Sequence, residues 1–196
     1  MKKDFDRYLK DCITESAKLK YHLLEKTDEI EEIANRVVKC YNHKGKILIC
    51  GNGGSAADSQ HIATELVNMY KISNRRSLAA LALPIDIVQS TAWANDHENS
   101  AEYAFARQVE AYARKEDILW GISTSGNAQN VYRAFEKGKE IGTFNLSLTG
   151  EGGGKIKSLS NLCFEIPSKD TPRIQEAHEL VYHLICDLVE KKLFRK

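Results

Sequence analysis

Apolar residues follow two rhythms along this chain. Short uninterrupted runs at 47–50, 78–83, 117–122, 143–148 and 162–166 predict five strands. Between them, apolar positions recur at three and four, the spacing of a helix with one buried face. The spacing predicts helices over about 54–70, 86–94, 101–114, 128–141 and 171–194. Two more precede the first strand, over 3–25 (Phe5, Tyr8, Leu9, Cys12, Ile13, Ala17, Leu19, Leu23) and from Thr27 to Lys44-Gly45. Strands that are apolar throughout, alternating with helices, imply a parallel sheet covered on both faces. The expected architecture is therefore α/β, a doubly wound five-stranded parallel sheet flanked by helices. Residues 1–44 form an added N-terminal helical segment and 45–196 the α/β domain, in one structural unit. The apolar stripe of the first two helices suits another subunit or its own domain equally.

In such a sheet, ligands bind at the carboxyl ends of the strands. Three of those ends carry glycine-rich or hydroxyl-rich turns, at 51–55, 123–127 and 149–154. The first, Gly51-Asn52-Gly53-Gly54-Ser55, leads from a strand into a helix, an arrangement that offers backbone N–H groups and a positive dipole end to an anion. The second, Ser123-Thr124-Ser125-Gly126-Asn127, reads alone as a helix cap and beside the first as a second wall of a phosphate pocket. Neither turn holds Lys or Arg, and the Lys-Ser/Thr ending of a Walker loop is absent. By contrast, Arg75-Arg76 reads as a solvated turn.

His61 and Glu65 stand four residues apart on the helix after the first turn and share a face. Far along the chain, Gln175, Glu179 and His183 form an i, i+4, i+8 row that drifts about 40° per step. Two helices that each offer a histidine with a carboxylate or amide suit a divalent metal such as zinc, or an acid–base couple. Spacing leaves open whether Gln175 or Glu179 joins His183. His22, His43, His97 and His178 have no such context.

Composition narrows the class. The 196 residues are 42% hydrophobic and 28% charged, a globular balance. A net charge of +1 gives no field for nonspecific nucleic-acid binding. No apolar run approaches the ~20 residues of a membrane span, and the start lacks the apolar core of a secretory signal. Five scattered cysteines without a C-x-x-C pair point to reduced thiols and a cytoplasmic location. Cys50 and Cys163, in apolar runs, read as buried structural residues.

The motifs together carry a resemblance. Residues 51–66, Ala94-Asn95-Asp96, Phe105 to Ala111, Gly121 to Asn127, Leu148-Thr149-Gly150 and Arg173-Ile174-Gln175-Glu176-x-His178 resemble the signature of bacterial phosphoheptose isomerases, a branch of the sugar isomerase (SIS) superfamily. The resemblance runs nearly end to end. It implies a SIS fold, a homotetramer, and conversion of sedoheptulose 7-phosphate into D-glycero-D-manno-heptose 7-phosphate for bacterial surface heptose, in lipopolysaccharide core or capsule. It also implies one zinc on His61, Glu65, Gln175 and His183, with Glu65 and His183 as the acid–base pair. Substrate contacts fall on Asn52, Gly53, Gly54, Ser55, Glu65, Asn95, Asp96, Ser123, Thr124, Ser125 and Gln175.

The chain departs from the pattern at four places. Ala128 stands where many members carry a phosphate-binding Ser, Pro84-Ile85 replaces a polar pair, and Pro172 and Glu179 take places of other character. These bear on which sugar is used more than on the reaction class. The rival of a different class is a non-catalytic SIS protein that binds a sugar phosphate or the replication initiator DnaA. Such proteins resemble the isomerases but replace the equivalents of Glu65 and His183, and both are present in this chain.

Overall fold

The computed structural model describes residues 2–85, 87–97 and 100–195. The expected start of a helix at Asp86 and the turn residues Glu98 and Asn99 lie outside them. Five strands form one parallel sheet: β1 (Ile47–Gly51), β2 (Ala80–Ala82), β3 (Ile118–Ser123), β4 (Phe144–Thr149) and β5 (Leu162–Glu165). Their order is β2-β1-β3-β4-β5. The chain steps outward one way from β1 to β2, then crosses to β3 on the other side of β1. The winding thus reverses between β1 and β3, where α/β sheets open a crevice at their carboxyl ends.

Among the described residues, seven α-helices accompany the strands: α1 (Lys2–His22), α2 (Thr27–Asn42), α3 (Gly54–Val67), α4 (Ile87–Asp96), α5 (Ala104–Tyr112), α6 (Gln129–Ile141) and α7 (Thr171–Phe194). Alternation along β1 sorts them into two layers, because successive strand side chains point to opposite faces. Ile47 and Ile49 join the core built with α2, α3 and α7, where Ile33, Ile62 and Val181 are fully buried. Leu48 and Cys50 join the opposite core with Val109 of α5 and Phe135 of α6. The all-apolar strands expected from the sequence are covered on both faces for this reason. Burial also pushes the Cys50 thiol up to about 12, which keeps it inert.

Three expectations need correction. The strand expected over 78–83 is paired only at Ala80–Ala82, as an edge strand bonded to β1 alone. The Arg75-Arg76 turn is not solvated at Arg75, whose side chain is fully buried against Glu190 of α7. Glu190 also accepts the N–H groups of Tyr70 (2.7 Å), Lys71 (2.8 Å) and Ile72 (2.9 Å). Those donors are taken by α7, so the helix expected to reach residue 70 ends at Val67.

The first helix divides along its length. Leu19, with Leu23 just beyond the helix, is buried in the domain's own core. Phe5, Tyr8, Leu9 and Ile13 stay exposed, at 58–69% of their free surface.

Candidate active site

The reversal point between β1 and β3 brings the first two turns together. Gly51 pairs with Ile122, so both turns leave the sheet side by side. Asn52 and Asn130 exchange amide hydrogen bonds of 2.8 Å across the gap. Gly53 turns the chain at φ +54°, a left-handed conformation that favours glycine. Ser55 N–H then donates to the Asn52 carbonyl at 2.9 Å and α3 begins. The third turn closes on the second. Gly150 N–H donates to the Thr124 carbonyl (2.9 Å) and Ile156 N–H to the Gly126 carbonyl (3.0 Å). A side chain at Gly126 would collide with the Gly153 carbonyl, so glycine is required at this approach. Ser123 is buried and Ser125 exposed at the start of this second wall.

Helix α7 crosses the front of α3 and delivers its row of polar residues. Gln175 Nε2 donates to Asp58 Oδ2 at 3.0 Å. Its amide lies directly over Gly54, where a Cβ would overlap Gln175 Oε1. Two turns on, His183 Nε2 lies 3.4 Å from His61 Nε2. His61 Nε2 also lies 3.1 Å from Glu65 Oε1. The row therefore divides. Gln175 serves the glycine turn, and Glu179 and His183 face His61, with ligand atoms of all three within 4.8 Å of one another.

Two further residues shape this group. Tyr182 Oη lies 3.1 Å from His61 Nδ1, beside the Asp58 carboxylate. Tyr70 stacks on His183, with ring centroids 5.7 Å apart. Sequence reasoning assigned no role to Asp58, Tyr70 or Tyr182. Tyr182 stands three residues after Glu179 and seven after Gln175 on α7, so its shared face was the available signal. Burial, with the Glu179 charge adding to it, raises the Asp58 carboxyl above its ordinary range. Burial and the neighbouring His61 hold His183 below the ordinary histidine value, so its imidazole is neutral at pH 7.

The donor set fits a divalent metal. Tyr182 Oη meets His61 Nδ1, while His61 Nε2 faces Glu65 and His183. Acceptors that converge in this way are satisfied by a shared cation or proton. Two imidazoles with a carboxylate is a ligand chemistry that zinc accepts.

Asn95 and Asp96 close α4, both exposed, with Asn95 Nδ2 donating to Asp96 Oδ1 at 2.9 Å. Among the described residues, no hydrogen bond ties either of them to the turn at 51–55 or to α7. His178 is buried and bonded through Nε2 to the Thr149 carbonyl at 3.0 Å, which pins α7 to the end of β4. Burial lowers it to about 4, so it stays neutral.

The chain is similar to known proteins over most of its length. The SIS domain family profile matches residues 13–150. The phosphoheptose isomerase of Helicobacter pylori strain P12 is 46% identical over 97% of this chain and 98% of its own. That of Clostridium acetobutylicum is 46% identical over 85% of this chain and 84% of its own. Among solved structures, phosphoheptose isomerase GmhA from Neisseria gonorrhoeae matches with a TM-score of 0.88 at 36% identity, covering 95% of this chain and 99% of that one. A phosphoheptose isomerase from Francisella tularensis matches with a TM-score of 0.86 at 31% identity, covering 96% and 97%.

Proposed function

The chain belongs to the phosphoheptose isomerase branch of the SIS domain family, and from that membership we propose that it converts sedoheptulose 7-phosphate into D-glycero-D-manno-heptose 7-phosphate. The observation that carries this reading is the meeting of His61 and Glu65 with His183, beside a glycine turn suited to a phosphorylated sugar. The product would feed bacterial surface heptose, in lipopolysaccharide core or capsule. A phosphorylated substrate and free cysteines support a cytoplasmic location.

Ketose–aldose exchange takes a proton from C1, passes through an enediol, and returns a proton to C2. One group must handle the carbon-bound proton and another the protons on oxygen. Glu65 is the carboxylate assigned to carbon. His183, neutral at pH 7, is assigned to the oxygens, where it accepts one proton and returns it. Asn52, Gly53, Gly54 and Ser55, with Ser123, Thr124 and Ser125, hold the substrate's polar groups through backbone N–H groups and hydroxyls. Gln175, anchored on Asp58, faces the same turn. Asn95 and Asp96 complete the proposed contacts.

His61, Glu65, Gln175 and His183 would hold one zinc, which when bound stabilises negative charge on the enediol oxygens. The exposed apolar residues Phe5, Tyr8, Leu9 and Ile13 support self-association through α1, as a homotetramer. The test is direct: purified protein supplied with zinc and sedoheptulose 7-phosphate should yield the aldose by NMR. Absence of turnover under those conditions overturns the assignment.

A further inference from the structure

Glu179 stands outside the ligand set that the resemblance gives, yet it sits where that set converges. It lies on α7 one turn after Gln175 and one turn before His183. Its carboxylate, a His61 nitrogen and a His183 nitrogen lie within 4.8 Å of one another, the spacing of atoms that can share one ion. The side chain is exposed and has no hydrogen-bond or ion-pair partner among the described residues. Glu65, by contrast, already contacts His61, and Gln175 is held by Asp58 and packed over Gly54. Glu179 also helps line a cavity of about 410 Å³ with Asp58, His61, Gln175 and Tyr182, so its carboxylate opens onto the space between α3 and α7.

We propose that Glu179 is a direct ligand of the bound metal, so that this chain holds its ion with a carboxylate beyond the family set. The inference rests on the proposal that His61 and His183 hold a zinc. A carboxylate in place of water adds a formal negative charge to the shell, which tightens binding of a divalent cation. Unlike an amide oxygen, it also keeps that affinity dependent on its charge.

Apoprotein prepared by chelation is titrated with Zn²⁺ in competition with a chromogenic chelator, and the Co²⁺ form is read by its visible absorption. Removing a direct ligand should cost at least as much as the roughly 10–100-fold found for outer partners of metal ligands. Glu179→Gln and Glu179→Ala are therefore expected to bind Zn²⁺ at least about tenfold more weakly and to shift the Co²⁺ spectrum. Glu176→Gln, which removes a neighbouring carboxylate paired with Arg173, should leave both unchanged. Circular dichroism of each variant establishes that the fold is retained. If wild type binds Zn²⁺ and both Glu179 variants match it in affinity and spectrum, Glu179 is not a ligand, while the metal reading stands. If wild type binds no Zn²⁺, both proposals fall. An equal loss in Glu176→Gln would assign the effect to general charge and overturn the proposal.

Discussion

Tyr182 Oη lies 3.1 Å from His61 Nδ1, beside the Asp58 carboxylate. This contact orients the imidazole with Nε2 toward Glu65 and His183. Outer partners of this kind orient a ligand and set its tautomer. Tyr182 is also raised well above the ordinary phenol range, by burial and by the Asp58 charge, so it stays a neutral donor throughout the working pH range.

Tyr182→Phe removes the oxygen and keeps the ring. Zn²⁺ affinity should fall by roughly 10–100-fold with the fold intact. Chelator competition reads the affinity and near-ultraviolet circular dichroism the fold. Unchanged affinity would show that His61 is oriented by packing alone.

Glu65 and His183 are the assigned proton carriers, and replacing either should remove a factor of roughly 10²–10⁴ from kcat. Glu65→Gln and His183→Gln keep volume and remove basicity. Turnover of sedoheptulose 7-phosphate by NMR decides it, and full activity in either variant sinks that residue's role as a proton carrier. Chelation with EDTA should also abolish turnover, and Zn²⁺ should restore it.

Much of this was legible in the sequence because it rests on local rules. Continuous apolar runs marked the strands, and the expected final helix coincides with Thr171–Phe194. His61 and Glu65 were visible as a pair because four residues make about one helical turn. What escaped depends on contacts between elements distant in sequence. Arg75 looks like a surface residue until Glu190, 115 positions later, is seen to bury it. The division of the α7 row is of the same kind: Gln175 is drawn to Asp58 on α3, and no spacing within α7 encodes that choice.

Gly54 is the point where that division is enforced. A methyl group there would overlap Gln175 Oε1, so the flexible amide must swing away and release Asp58. Gly54→Ala should leave thermal stability nearly unchanged, since the displaced atoms end a flexible side chain. It should cost about one hydrogen bond of substrate binding, ~1 kcal/mol or a factor of about five in KM, and weaken Zn²⁺ binding as well, since Gln175 is also a proposed ligand. A Michaelis analysis tests this. A loss confined to kcat would place Gln175 in the chemistry instead of in binding.

The Arg75–Glu190 pair fastens residues 68–77 to α7 and should set part of the protein's acid stability. Both side chains are buried, at 0% and 2% exposure. Burial alone would raise the Glu190 carboxyl, but Arg75 and the N–H groups of Tyr70, Lys71 and Ile72 outweigh it and hold it below its ordinary value. A carboxyl lowered in the folded state binds fewer protons folded than unfolded. Its stabilisation is therefore complete above the unfolded value of about 4.3 and is lost as pH falls through the folded one. Urea unfolding should accordingly show an acid limb that begins near pH ~5. Glu190→Gln leaves Arg75 as an unpaired buried charge, so it should destabilise the protein by roughly 3–5 kcal/mol at neutral pH. It should also flatten part of that limb, because the group that titrates is gone. A Glu190→Gln variant as stable as wild type at neutral pH, or with an unaltered acid limb, would mean that the 68–77 segment is held by its other contacts and that the pair contributes little.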